Sequence, residues 1–333
     1  METTMLDIKI VLYLRNYEKD GLQQIRSIFQ NTFFSFNISG YEVSFSTYIK
    51  WKKIIASNRE SNAKDIQICF IGKLSAEIDM DKNIICYYDN FKSCTQDEIS
   101  LQETKHFYEY DNLDEGFDAQ LEVFCLSMVY SIILTAPDIN LNTAHFKIYL
   151  NQRLFKDRKY IEYPIYEDAY KEWTFIFKTK LGIRQTWAWL TKYGVKYKSK
   201  PLCPYVQLLY YLLNREYFEI VLFSVIGLEA LYLDKKNKTG KSYTLQNRIH
   251  TVFPEISKNQ IKKMYSIRSN ITHGEGDMAS AIVWLDLINN DMENEQMAVF
   301  SSALFLESIR RLISHNAIGF TFEERMNITY GFE

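Results

Sequence analysis

Between Tyr205 and Leu233 the chain reads YVQLLYYLLNREYFEIVLFSVIGLEALYL, a run that is apolar on nearly every face of a helix. Such a helix has no side to give to water and must be enclosed by other elements, as the central member of a bundle is. Its most apolar part, Ile220 to Leu233, is shorter than the roughly 18 residues of a membrane span and contains Glu229, so burial in protein is expected rather than in lipid. The other strongly apolar stretch, Val123 to Leu134, is shorter still.

Partners for that run lie downstream. After the loop DKKNKTGKSYT, LQNRIHTVF reads as a short helix, and ISKNQIKKMYSIRSNITH reads as another that breaks at Gly274. Glu293 to His315 places Met297, Phe300, Leu304, Phe305 and Leu312 on one apolar stripe, the pattern of a long helix packed on one side. Together these predict an all-α four-helix unit over residues 201–318, followed by a tail over 319–333.

Upstream the pattern changes. DIKIVLYL and DIQICFIG alternate as strands do, GLQQIRSIFQ has helical spacing, and SNRESNAKD reads as a loop, so residues 1–112 are expected to be an α+β region. Residues 113–200 read as a mainly helical middle region. There DEGFDAQLEVFCLSMVYSIILT is an acid-led buried helix ending at Ala136 and Pro137, and FKIYLNQRLF has strand character. EDAYKEWTFIFKTKLGIRQTWAWLTKYG is read as helix with its aromatic residues inward, and VKYKSKPLCP as a linker. Only 12 Gly and 5 Pro, beside 22 Phe and 24 Tyr, suit long ordered elements.

Charge and cysteine usage narrow the partners. A net charge of -2 excludes a nucleic-acid coat over the whole surface and leaves room for a local basic patch. Cys69, Cys86, Cys94, Cys125 and Cys203 are scattered, with no zinc-type spacing, so a reducing cytoplasm and no metal are expected. The N-terminus has neither the basic region nor the cleavage site of an export signal, and a soluble protein without a membrane partner is expected.

Reactive side chains concentrate in MYSIRSNITHGEG, where four residues separate Arg268 from His273. On a regular helix the two stand about 140° apart, too far round to converge within one copy. A two-fold dimer would set this helix end against its mate and gather two arginines and two histidines in one cleft. Gly274 is a natural helix stop, so His273 falls on the last turn, where free carbonyls favour an imidazolium. Metal-free RNA cleavage needs the 2′-hydroxyl as nucleophile, a proton shuttle near neutrality and a fixed cation against the charge of the phosphorane. Histidine and arginine meet the last two needs. Spacing alone is a weak signal, since 12 Arg and 5 His give such a pair by chance about one time in five. Indeed Arg310 and His315 in RRLISH make a second match.

Context separates the two pairs. GLEALY (Gly227 to Tyr232), LQNRI around Arg248, and YSIRSNITHGE make the stretch from about Tyr205 to His315 resemble the Apea-like branch of the HEPN superfamily. The family's RS-x-x-x-HG signature falls on Arg268, Ser269, His273 and Gly274, and the pair in RRLISH does not match it. The resemblance, which covers about a third of the chain, implies a HEPN-like four-helix bundle, a homodimer and metal-independent endoribonuclease activity with no cofactor. It implies a role in anti-phage defence or toxin-like growth arrest; tRNA or another structured RNA is the expected substrate, and the N-terminal region is expected to control the nuclease by sensing a phage component, clamping substrate or holding the dimer inactive. Many members carry Asn, Asp or His after the arginine; here Ser269 stands there, with Asn270 next. The competing reading is a non-catalytic HEPN-like dimerisation or sensor module that binds RNA or a protein partner. A third makes Tyr265 the target of a modifying nucleotidyltransferase.

Around the pair, Glu229 either orients Arg268 within one subunit or sits at a solvated helix edge. Ser269 and Asn270 are supporting candidates. Lys235, Lys236, Lys238 and Lys241 are candidate RNA contacts or simply a solvated run. Arg310 and His315 are read as a surface helix end that could flank the cleft. In the stretch from Trp187 to Lys200 the tryptophans are read as core and the lysines as linker rather than as a base-stacking track, and His106, His145 and His250 as structural.

Overall fold

The computed structural model describes residues 4–16, 19–29, 32–38, 41–53, 64–76, 117–137, 143–161, 173–194, 203, 205–206, 208–209, 217–233, 240–273, 291–324 and 328–332. Its first part is built on six antiparallel strands: β1 (Thr4–Asn16), β2 (Phe33–Ile38), β3 (Tyr41–Lys53), β4 (Lys64–Ala76), β5 (Thr143–Leu150) and β6 (Arg153–Ile161), in the order β2-β3-β4-β1-β5-β6. Alternation fixes their faces. Ile8, Ile10, Leu12 and Leu14 of β1 are buried, beneath helices α1 (Lys19–Phe29) and α2 (Phe117–Thr135), whereas Lys9 and Tyr13 point the other way and are only half-buried.

The two strand readings and the α1 reading from the first part of the chain agree with β1, β4 and α1. The sheet, however, runs across residue 112. FKIYLNQRLF forms most of the β5–β6 hairpin, whose turn residues Asn151 and Gln152 take positive φ of 45° and 67°, the backbone of a two-residue hairpin turn. The Asn151 side chain accepts from Asp7 N at 2.9 Å, and Asn151 N donates to Asp7 O at 2.9 Å, tying the turn to β1. The middle region thus supplies two strands to the sheet. SNRESNAKD lies almost wholly outside the described residues.

The second part is helical: α3 (Ile183–Trp189), which widens into a π-helical turn over Leu190–Gly194, then α4 (Tyr217–Tyr232), α5 (Lys241–Val252), α6 (Lys258–His273) and α7 (Asp291–Ser314). The hydrophobic stripe of α7 lies along α4, α6 and α5 pack beside them, and all four share one core around Leu228, Ile249, Met264 and Phe305. The chain is therefore α+β, with its sheet in the N-terminal half and most of its helices in the C-terminal half. Among the described residues no helix is long and apolar enough to cross a membrane.

Two expected helices are shorter than read. Of the helix expected over residues 167–194, residues 167–172 lie outside the described residues, and the rest is a single tight turn at Thr174–Ile176, an irregular stretch in which Thr179 gives both its N–H and its hydroxyl to Glu307 of α7, and then α3. The run from Tyr205 begins in tight turns, with Val206 N donating to Cys203 O and the Tyr205 hydroxyl to Ile318 O; residues 207 and 210–216 lie outside the described residues, and α4 is described over Tyr217–Tyr232. The tail after α7 forms a hairpin of β7 (Phe320–Glu324) and β8 (Ile328–Phe332), which stacks Phe320 on Tyr232 at 5.2 Å.

Helix α3 joins the two cores. Residues two apart on a helix point about 200° from each other. Trp187 enters the sheet core beside Phe34 and Phe124 at 5.4 and 5.1 Å, and Trp189 enters the helical core, donating to Ala317 O at 2.9 Å. Close packing between α4 and α7 has its own signature: a Cβ on Gly227 would come within 2.4 Å of the Phe305 ring. Gly227→Ala should therefore lower stability by about 1–3 kcal/mol through overpacking, against the roughly 1 kcal/mol that Ala ordinarily gains over Gly in a helix. Gly182→Ala, which meets nothing within 4 Å, is the control, and urea unfolding midpoints compare them. An unchanged or raised midpoint for Gly227→Ala would contradict the close approach.

Candidate functional site

The position of Arg268 follows from the stripe it extends. Ile261 and Met264 of α6 are buried, and Arg268 lies seven and four residues beyond them, on the same face. On α4, Val225 and Leu228 are buried and Glu229 stands next on that side. The two stripes meet, and Arg268 Nη2 donates to Glu229 Oε2 at 3.0 Å, the side chains 21% and 18% exposed. A charge-assisted hydrogen bond of this burial is worth on the order of 1.5–3 kcal/mol.

The rest of the guanidinium is held locally. Nη1 donates to Thr272 Oγ1 at 3.3 Å, and the Thr272 hydroxyl bridges back to the carbonyls of Arg268 and Ser269, each at 3.1 Å. The Arg268 Nε is buried and makes no hydrogen bond. The Tyr265 ring lies 5.9 Å from the guanidinium carbon. Burial pushes the Tyr265 hydroxyl pKa above its ordinary value, the Glu229 carboxylate pushes it the same way, and Arg268 opposes both.

His273 is different in kind. It closes α6, is exposed, and lies on the far side of the helix from the buried stripe, as five residues of rotation dictate. Within one copy, then, Arg268 faces the core while His273 faces solvent. Ser269 is half-buried and Asn270 exposed. Lys241 is exposed at the first turn of α5, whereas Lys235, Lys236 and Lys238, like Gly274, fall outside the described residues.

The second Arg-x4-His match is not a surface helix end. Arg310 is buried, 3% exposed, because its guanidinium bonds Glu307 through Nε at 2.9 Å and also donates to the carbonyls of Leu134 and Thr179. His315 is exposed but stacked on Phe332 at 3.7 Å. Arg310 therefore ties α7 to α2 and to the 173–182 stretch. Sequence reasoning passed over Glu307, although an acid and an arginine three apart inside an apolar stripe are the mark of a buried pair.

Trp187 and Trp189 are core, as read, and His250 bonds Ile256 O at 2.7 Å. His145 bonds Asp157 and stacks on Tyr13. His106, and Lys196 to Lys200, lie outside the described residues. Among the described residues no cluster of three His, Cys, Asp or Glu side chains is placed to hold a metal ion. No protein-family model matches this chain, and it matches no curated protein and no solved structure.

Proposed function

We propose that the helical part of this chain is a HEPN-like four-helix bundle that pairs with a second copy and cleaves RNA without a metal, in anti-phage defence or toxin-like growth arrest. The observation that carries this reading is the Arg268–Glu229 ion pair. The arginine of the RS-x-x-x-HG signature is held in place by a carboxylate from the neighbouring helix, at the end of α6 where His273 is exposed. A cation fixed before substrate arrives loses little order on binding and is suited to a charge that develops only in the transition state.

In the proposed reaction one His273 takes the proton of the 2′-hydroxyl, which attacks the adjacent phosphorus. The His273 of the second copy protonates the departing 5′-oxygen. Arg268 stands against the phosphorane, with Glu229 setting its orientation. Two copies are required because one chain sends its Arg268 and His273 to opposite sides of α6. Purified protein incubated with total RNA or tRNA should yield 2′,3′-cyclic phosphate and 5′-hydroxyl ends, at a rate a chelator does not change. Chelator-sensitive cleavage, or ends of the opposite polarity, would refute it.

A second reading has one observation in its favour. Arg268 is committed to Glu229 and Thr272 within its own chain, as a purely structural clamp would be. The bundle would then serve as a dimerisation or sensor module that binds RNA or a protein partner, forming a stable dimer that leaves every RNA intact.

A further inference from the structure

The sheet has a second face that neither core uses. Ile25 of α1, Phe124 of α2 and Trp187 of α3 all join the cluster on the side of Ile8, Ile10 and Phe70. Register defines what lies opposite. One row across the strands runs Phe33, Ser46, Ile71, Lys9, Tyr149, Leu154, and it contains three large apolar side chains that remain well exposed: Phe33 at 66%, Ile71 at 39% and Leu154 at 41%. The next rows place Tyr48 opposite Cys69 and Tyr13 opposite His145.

The rings of this face are held before any ligand arrives. Tyr48 stands directly opposite Cys69, and Tyr13 stacks on His145 with centroids 5.5 Å apart. Register sets Tyr48 of β3 two strand spacings and two residues from Tyr13 of β1, and Tyr149 of β5 one spacing and four residues from Tyr13, so the three stand about 12–16 Å apart. Charge sorts as well. Asp7 is offset by Lys73 at 3.8 Å and Asp157 by Lys147 at 3.2 Å, while Glu42 sits four residues along β3 from Ser46, at the hairpin end. The charges left beside the tyrosines are ammonium groups: Lys9 Nζ lies 5.5 Å from the Tyr149 ring centre and Lys50 Nζ 5.3 Å from that of Tyr48.

A ligand that uses both features alternates flat apolar rings with anions. An acidic peptide would meet the lysines but leave the tyrosines idle, and a plain apolar segment would strand the lysines. We propose that this face binds a single-stranded nucleic acid, with bases stacked on Tyr13, Tyr48 and Tyr149 and phosphates beside Lys9 and Lys50. Taking the strand as RNA rests on the nuclease reading above; the platform itself does not. It would hold an unpaired stretch of the substrate while the bundle cuts elsewhere.

The test is fluorescence anisotropy with the full chain carrying His273→Ala, so that the probe is not consumed. The probes are labelled single strands of about 20 nucleotides, RNA and DNA of one sequence, beside an RNA duplex. The RNA strand should bind most tightly. Lys9→Glu with Lys50→Glu should weaken it at least tenfold and reduce the slope of log affinity against log salt by about 1.4, the value for two phosphate contacts on a single strand. Tyr149→Ala should cost about tenfold. Circular dichroism melting checks the fold, and the lysine reversals report even if the tyrosine variant unfolds. No binding by the parent, an equal hold on duplex, or an unchanged affinity in the lysine pair overturns the platform, and equal binding of DNA overturns RNA as its ligand. A native chain that binds but never cuts sinks the nuclease reading alone, and one that cuts while the lysine pair binds like the parent sinks the platform alone.

Discussion

Arg310→Met should lower the stability of this chain by about 3–5 kcal/mol, the penalty for leaving one member of a buried ion pair without its partner. The Glu307 side chain is 0% exposed and that of Arg310 4%. Glu307 accepts from Arg310 Nε at 2.9 Å and from Thr179 N at 3.0 Å, with Arg311 Nε further off at 3.6 Å. Without Arg310 the carboxylate keeps Thr179 and a distant cation, and the carbonyls of Leu134 and Thr179 lose a donor. Removing both charges, as in Glu307→Leu with Arg310→Met, should cost less than the two single changes summed, because neither charge is then stranded. Urea unfolding of the four proteins gives the cycle. A shift under about 0.5 kcal/mol for Arg310→Met, the size of an ordinary surface change, would show that the cluster does not hold α7 to the rest of the chain.

That cluster also marks where reading from sequence stops. Strands β1 and β4 were legible because Ile-x-Ile alternation has period two, and α6 and α7 because their buried residues recur every three or four. The Arg268–Glu229 pairing was legible in part, since each residue continues a stripe that must face other helices. Arg310 looked like a helix end because its partners are distant in sequence: Leu134 and Thr179 are 176 and 131 residues away. Tyr205 to Leu209 reads as helix because apolarity alone does not tell a buried helix from a buried turn, and the hydroxyl contact of Tyr205 with Ile318 has no sequence signature. The open sheet face is hidden in the sequence for a related reason. Tyr13, Tyr48 and Tyr149 lie on three separate strands, and only the register brings them together.

If the bundle is the nuclease proposed, His273→Ala should reduce RNA cleavage by about 10²–10⁴-fold while leaving stability within roughly 0.5 kcal/mol, since it would remove the proposed proton shuttle from an exposed helix end and disturb no packing. Arg268→Ala should behave differently. It also abolishes cleavage, but it leaves Glu229, 18% exposed, without its hydrogen-bond partner, so a measurable drop in stability should accompany the lost activity. Glu229→Gln keeps the volume and one acceptor and removes the charge. If Glu229 only orients Arg268, this variant should retain part of the activity and lower the rate at saturating RNA more than the affinity. The cleavage rate and the urea midpoint of each protein, with sedimentation to test for the dimer, separate the two readings of the bundle. In a nuclease the His273 and Arg268 variants fall together in activity and apart in stability. In a structural clamp Arg268→Ala shifts the midpoint, His273→Ala changes nothing, and neither the parent nor any variant cuts RNA.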